Sequence, residues 1–199
     1  INIIAGLTKR SEGEVRVMGK DVDTDYRFTR SKIGLVGQEI SLEIGLKIFD
    51  SVAVQAGYFG LKDGKGRAEK RLKEFSLWDK AKQYAFTLSG GMKRRVMIAK
   101  AMVHDPDVLF LDEPTAGVDL ELRENLWNMV RGLRNQGKTI ILTTHYLEEA
   151  QEMADRIGII NNGRLITVDT KENLINKNQG ANLAKIYSNI IEADRQKRL

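Results

Sequence analysis

The sequence contains no cysteine and only two prolines and two histidines in 199 residues. Without cysteine there can be no disulfide framework and no thiolate metal site, a composition that suits a reducing compartment. Apolar runs are no longer than a strand, so no segment reads as a bilayer span. No targeting peptide is visible either. Charge of one sign is also scarce: 32 Lys and Arg stand against 27 Asp and Glu, a formal net of +5. The basic residues are scattered among acidic partners, a balance too weak to argue for nucleic acid, and no such partner is expected. What is present is 42% apolar residues, enough for one globular domain over 1–199 with a sizeable core.

Periodicity divides the chain into an α/β pattern with a helical interruption. Ile1–Leu7 reads as the end of an apolar helix closed by Gly6. Glu14–Met18 alternates as a short strand, and Ile33–Gln38 is an apolar strand ending in a glycine and a glutamine. Residues 41–104 show helical spacing broken by glycines, with few β-branched runs, and read as a helical subdomain inserted into the α/β core. Within it, Gly66–Phe75 reads as a solvated helix carrying i,i+4 ion pairs. Asp107–Leu111 and Thr139–Thr144 are buried strands flanking a helix marked by Leu122, Leu126, Val130 and Leu133. Tyr146–Asp155 reads as a helix. Asn162-Gly163 then predicts a hairpin over Arg156–Val168, followed by a helix from Thr170 and a polar tail over 180–199.

One stretch fits a nucleotide-binding pattern letter for letter. Gly132–Thr139 (GLRNQGKT) matches the phosphate loop G-x-x-x-x-G-K-S/T. That loop works only between a strand and the helix whose free N–H groups face the phosphates. Here the order is helix, turn, strand, so Gly137 reads as a helix C′ residue and Lys138 as a cation beside the helix end. The match is a decoy.

Four other features carry chemistry. Val108–Glu113 (VLFLDE) is an apolar strand running into two adjacent carboxylates, an arrangement that fits a crevice where a ligand or metal offsets their desolvation. At a nucleotide site Asp112 can hold Mg²⁺ through water, and Glu113 can accept a proton from an attacking water. An acidic turn after a strand would look the same. Leu88–Arg95 (LSGGMKRR) opens a helix with Ser89 as N-cap, and Gly90 and Gly91 allow close approach of an anion. An ordinary capped helix with basic residues on its wet face is the alternative. Val96, Ala99, Met102 and Val103 form its buried stripe. His145 stands just past the second buried strand, where it could donate to a terminal phosphate. Gln38 ends a third strand, where an amide can coordinate Mg²⁺ or order a water.

Taken in order, these features resemble the ATP-binding cassette family: a Q-loop (VGQE), a signature (LSGGM), a Walker B strand with its glutamate (VLFLDEP), a D-loop (AGVD, ending at Asp119) and an H-loop (TTH). The runs LSGGMKRR, LDEPTAGVD and ILTTHYLEEAQEMADRIGII look most like ATPase subunits of multidrug-type exporters. The resemblance implies a phosphate-loop NTPase-like parallel sheet with an inserted helical subdomain. It also implies ATP and Mg²⁺ as cofactors. Glu113 would be the general base, Asp112 the Mg²⁺ ligand through water, and Gln38 the sensor of Mg²⁺ and water that links to a membrane-spanning permease subunit. His145 would contact the γ-phosphate and Asp119 would couple two sites. Ser89, Gly90 and Gly91 would bind the γ-phosphate held by a second nucleotide-binding subunit, expected to be a copy of this chain. The expected place is cytoplasmic, at the inner face of the plasma membrane. Two departures stand out: Met92 replaces the usual glutamine of the signature, and the Walker A loop with its lysine has no match. The expectation is therefore a family domain cut after its phosphate loop, active as the full-length ATPase and inactive as this chain alone. Cassette proteins of DNA repair or translation, or a non-catalytic cassette, are the alternatives.

Overall fold

The computed structural model describes residues 1–117 and 120–196. Ile1–Leu7 forms one helical turn: Ala5 N–H donates to Ile1 O at 3.0 Å, Gly6 N–H to Ile3 O at 3.1 Å, and Leu7 N–H to Asn2 O at 2.8 Å. Gly6 sits at φ +73°, the left-handed glycine that closes a Schellman cap. A minimal hairpin, β1 (Arg16–Val17) and β2 (Lys20–Asp21), follows. The helix α1 (Tyr26–Ser31) then delivers the chain to β3 (Ile33–Val36).

β3, β4 (Val108–Asp112) and β5 (Thr139–Thr143) form a parallel sheet in the order β3-β4-β5. Their register pairs Val36 with Leu111 and Asp112 with Thr143, so the three carboxyl ends lie at one level. Leu109, Phe110 and Leu111 of β4 are at most 1% exposed, because the central strand is covered on both faces and flanked on both edges. Between β3 and β4 the chain makes α2 (Ile48–Tyr58), α3 (Gly64–Glu74) and α4 (Gly90–Ala101); α5 (Leu120–Asn135) connects β4 to β5. Val96, Ala99, Met102 and Val103 are fully buried, as their spacing predicts. Close docking of α4 on the sheet depends on Gly34, where a Cβ would meet the Ala101 carbonyl at 2.6 Å.

Two local expectations are refined. On α3, Lys73 and Glu69 form the foreseen i,i+4 pair at 2.6 Å. Arg71, however, is buried and bridges Glu74 at 2.7 Å and Asp105 at 2.9 Å, so this helix is not solvated on every side. The decoy loop is confirmed as helix, turn and strand. Gly137 has φ +86°, its N–H and that of Lys138 return to Arg134 O and Leu133 O, and Lys138 Nζ pairs with Asp105 at 2.9 Å.

The chain divides into two compact units, Ile1–Thr143 and Thr144–Leu199. The second contains α6 (Leu147–Met153), the antiparallel pair β6 (Arg156–Asn161) and β7 (Arg164–Thr170), α7 (Lys171–Lys177) and α8 (Leu183–Gln196). Asn162 and Gly163 turn the hairpin with φ of +48° and +73°, the signs a type I′ turn requires. Ile157, Ile159, Leu174 and Leu183 form its core, with Leu147, Ile190 and Ile191 packed against it. The span from 180, expected to be a polar tail, is thus largely helical. Leu183, Ile186, Ile190 and Ile191 recur at helical spacing and give α8 an apolar stripe to bury.

Candidate active site

The parallel register decides which side chains meet. β4 ends in Asp112, and Thr143, its partner on β5, donates its hydroxyl to Asp112 Oδ1. The next residue, Glu113, turns the chain with φ +45°. A left-handed conformation at a residue with a Cβ costs about 1–3 kcal/mol, and such strain concentrates at functional sites. It is held by two acceptors for the Glu113 N–H: Thr143 O at 3.1 Å and Thr143 Oγ1 at 3.2 Å. From the end of β3, Gln38 Nε2 donates to Glu113 Oε2 at 3.0 Å.

The structure brings Gln38, Asp112 and Glu113 to one end of the sheet, where the resemblance would gather them, and adds Thr143. The signal for Thr143 was present: a hydroxyl at the last position of a strand whose neighbour ends in acids. Both carboxylates and the threonine are half-buried, whereas Gln38 is exposed. Ser89 caps α4, its Oγ accepting the Met92 N–H at 3.3 Å. Ser89 and Gly90 are exposed, and the space beside Gly90 is open, so an anion can approach this helix end. Gly91 is the second residue of α4. His145 belongs to the second unit and is exposed, its ring centroid 4.1 Å from that of Tyr146. Asp119 lies outside the described residues.

The donor set can be tested against Mg²⁺, which takes oxygen ligands, keeps several waters and binds through one or two carboxylates plus substrate phosphates. Asp112, Glu113, Gln38 and Thr143 offer hard oxygens, with no imidazole or sulfur among them. Among the described residues no group of three or more His, Cys, Asp or Glu could cage an ion. The residues fit an ion held mainly by water and phosphate, and they do not fit a structural metal.

Beside Gln38 the first unit has an open cleft of about 720 Å³, lined by Leu35, Gln38, Phe59, Lys100 and His104 among others. Among the described residues no helix is long and apolar enough to cross a membrane.

Comparisons with known proteins point to one family. The family model described as ABC transporter matches residues 1–116. The chain is similar to the Nod factor export ATP-binding protein I of Burkholderia lata, 38% identical over 189 residues, covering 94% of this chain and 62% of the relative. It is also similar to the linearmycin resistance ATP-binding protein LnrL of Bacillus subtilis, 37% identical over 196 residues, covering 97% of this chain and 63% of that protein. It thus spans less than two thirds of these relatives. Among solved structures, an ATP binding subunit of an ABC transporter superposes with a TM-score of 0.83 at 25% identity, covering 96% of this chain and 81% of the other. CbiO1 of Clostridium perfringens, part of the ABC transporter complex cbiONQ, gives 0.78 at 26% identity, covering 89% and 73%. On the family match and the shared α/β fold together, the chain belongs to the ABC transporter family.

Proposed function

We propose that the protein containing this chain is the ATP-hydrolysing subunit of an exporter, with ATP and Mg²⁺ as cofactors. The observation that carries this reading is the meeting of Gln38, Asp112, Glu113 and Thr143 at the aligned carboxyl ends of a parallel sheet. Open α/β sheets bind their ligands at that edge. When bound, Mg²⁺-ATP supplies the phosphoanhydride bond to be cleaved and the cation that offsets its charge. Asp112 would hold the ion through water, with its orientation fixed by Thr143. Glu113 would orient the attacking water and take its proton, and Gln38 would position both. His145, two residues beyond β5, would donate to the γ-phosphate, and Asp119 would couple the two sites of a dimer. Ser89, Gly90 and Gly91 would offer the N-terminal N–H groups of α4 to the nucleotide held by a second copy. Such catalysis is mostly positioning and charge stabilisation.

Relatives named for Nod factor export and linearmycin resistance support the export role. A membrane-spanning permease is the partner, reached through Gln38 and the cleft it lines. The subunit would then sit in the cytoplasm against the inner face of the plasma membrane. The test is steady-state ATP hydrolysis by the full-length protein and its Glu113→Gln variant. Losing the general base should slow turnover by about 10²–10⁴-fold, while equilibrium nucleotide binding survives. Unchanged turnover in the variant would remove Glu113 from the mechanism; a wild type that neither binds nor hydrolyses ATP would end the reading.

A further inference from the structure

The roles above leave the basic residues of α4 without a part, and the alternative reading of this helix puts them on its wet face. Arg94 does not lie there. It is 4% exposed, and its Nη1 and Nη2 donate to the carbonyl oxygens of Gly37 at 2.6 Å and Gln38 at 2.8 Å. A planar guanidinium spans two successive carbonyls in a way that a lysine ammonium cannot. The arrangement is costly: burial lowers the ordinary pKa of this arginine, and its Nε–H is buried without an acceptor among the described residues. Buried charges are ordinarily paired with carboxylates, whereas among the described residues this one meets backbone alone.

Further along α4, Lys100 Nζ meets both oxygens of Glu43 at 2.5 and 2.7 Å. Ser51 of α2 donates to the same carboxylate. Burial alone would raise the Glu43 carboxyl, but the Lys100 and Ser51 hydrogen bonds outweigh it and hold the group below its ordinary range. Residues 37–43, which form no helix or strand, are therefore pinned to α4 at both ends. The first pin includes the carbonyl of Gln38 itself, the residue whose side chain donates to Glu113.

We propose that Arg94 is a positioning residue for hydrolysis: by clamping the Gly37 and Gln38 carbonyls it sets the Gln38 amide against Glu113. Arg94 also lies five residues from Ser89 on one helix, so displacement of the anion-binding end of α4 is delivered to the general base through this clamp. The proposal rests on the ATPase reading for its kinetic consequence, but the clamp itself can be tested without activity.

The experiment uses the full-length protein, Arg94→Met, Arg94→Lys and Gln38→Ala, and the Arg94→Met/Gln38→Ala pair, with thermal melts confirming that each is folded at the assay temperature. Misplacing a reacting group by about 1 Å costs on the order of 10²-fold, so Arg94→Met should lower kcat by about tenfold or more with little change in KM for ATP. Arg94→Lys should recover part of the loss. In the Gln38→Ala background Arg94→Met should change kcat no further, because the group it positions is gone. In nucleotide-free protein, amide exchange over residues 36–44 should rise in Arg94→Met. Wild-type kcat in Arg94→Met, independent losses in the double variant, or unaltered exchange over 36–44 would each overturn the proposal. If the wild type hydrolyses no ATP, the functional reading fails by itself, and the exchange result alone decides whether Arg94 holds Gln38. Should Arg94→Met not fold, Arg94→Lys carries the same comparison.

Discussion

In the parallel sheet every strand leaves by the same edge, so the chain following β3 carries Gln38 to Glu113, and the chain following β4 carries Glu113 to Thr143 at the end of β5. In the β6–β7 hairpin successive strands leave by opposite edges, and Asn161 and Arg164 are joined by two turn residues. The first arrangement gathers polar groups from residues more than seventy positions apart, such as Gln38 and Glu113. The second gathers neighbours and an apolar core of Ile157, Ile159, Leu174 and Leu183. Topology thus determines where chemistry can assemble, and composition only decides whether it does. Perturbations of the two regions should separate stability from turnover.

The largest effect on stability should come from Leu174→Ala in the second unit. Leu174 is 4% exposed, and truncating a buried leucine costs about 2–5 kcal/mol. Urea unfolding should show that loss, while kcat below the transition stays at the wild-type value. A fall in kcat in fully folded protein would break the division between the regions. Next comes Thr143→Val, which keeps the shape but deletes the hydroxyl that donates to Asp112 and accepts from the Glu113 N–H. Leaving such partners unsatisfied costs about 1–3 kcal/mol, and here the cost falls on the strained Glu113 turn, so turnover should drop as well. Thr144→Val is the control: its hydroxyl accepts the Tyr146 N–H at 2.9 Å and touches neither carboxylate. Equal kcat in the two variants would dismiss Thr143 from the site.

How much of this was legible depended on the range of the interaction. The Asn162-Gly163 turn, the Ser89 cap and the decoy loop were readable because a few adjacent residues determine them. Gln38, Asp112 and Glu113 were readable one at a time as polar residues ending apolar strands. Their meeting required a strand order that periodicity does not contain. Arg94 had no part in the sequence reading for a related reason: a basic residue on a helix is normally solvated, and nothing local announces two carbonyls 56 and 57 positions away. The same limit hid Arg71, whose partner Asp105 arrives from the entry to β4. The left-handed Glu113 left no trace in residue type, since glutamate has no preference for that conformation. The helix after 180 was lost to its polar composition, although its apolar stripe was there to count.

The amino ends of the same sheet sharpen the comparison. There His104 stacks on Phe59 with centroids 3.6 Å apart and planes 9° apart, and its Nε2 lies 2.9 Å from Ile33 O at the start of β3. With Nε2–H donating to that carbonyl, Nδ1 is buried without a partner among the described residues. Burial pushes the imidazole down to about 4 from 6.5, with the Ile33 carbonyl opposing and the nearby Arg71 adding to the shift. An unfolded chain therefore takes up this proton before the folded one. Stability from this group is intact above pH 6.5, falls as the pH drops towards about 4, and is constant below that. Allowing for the partly exposed ring, the loss between neutral pH and pH 5 should be on the order of 1 kcal/mol. Asp105, held below its ordinary range first by Lys138 and then by Arg71 despite burial, loses its contribution only as the pH falls below the unfolded value near 3.8, a separate window. His104→Phe keeps the stacking surface and removes the titration. Urea midpoints at neutral pH and at pH 5 should converge in that variant, whatever its absolute stability, while kcat relative to wild type should not change with pH. An undiminished difference between the midpoints would place the acid sensitivity elsewhere. A change in the pH profile of kcat would mean that both edges of the sheet, and not only the carboxyl edge, feed the reaction.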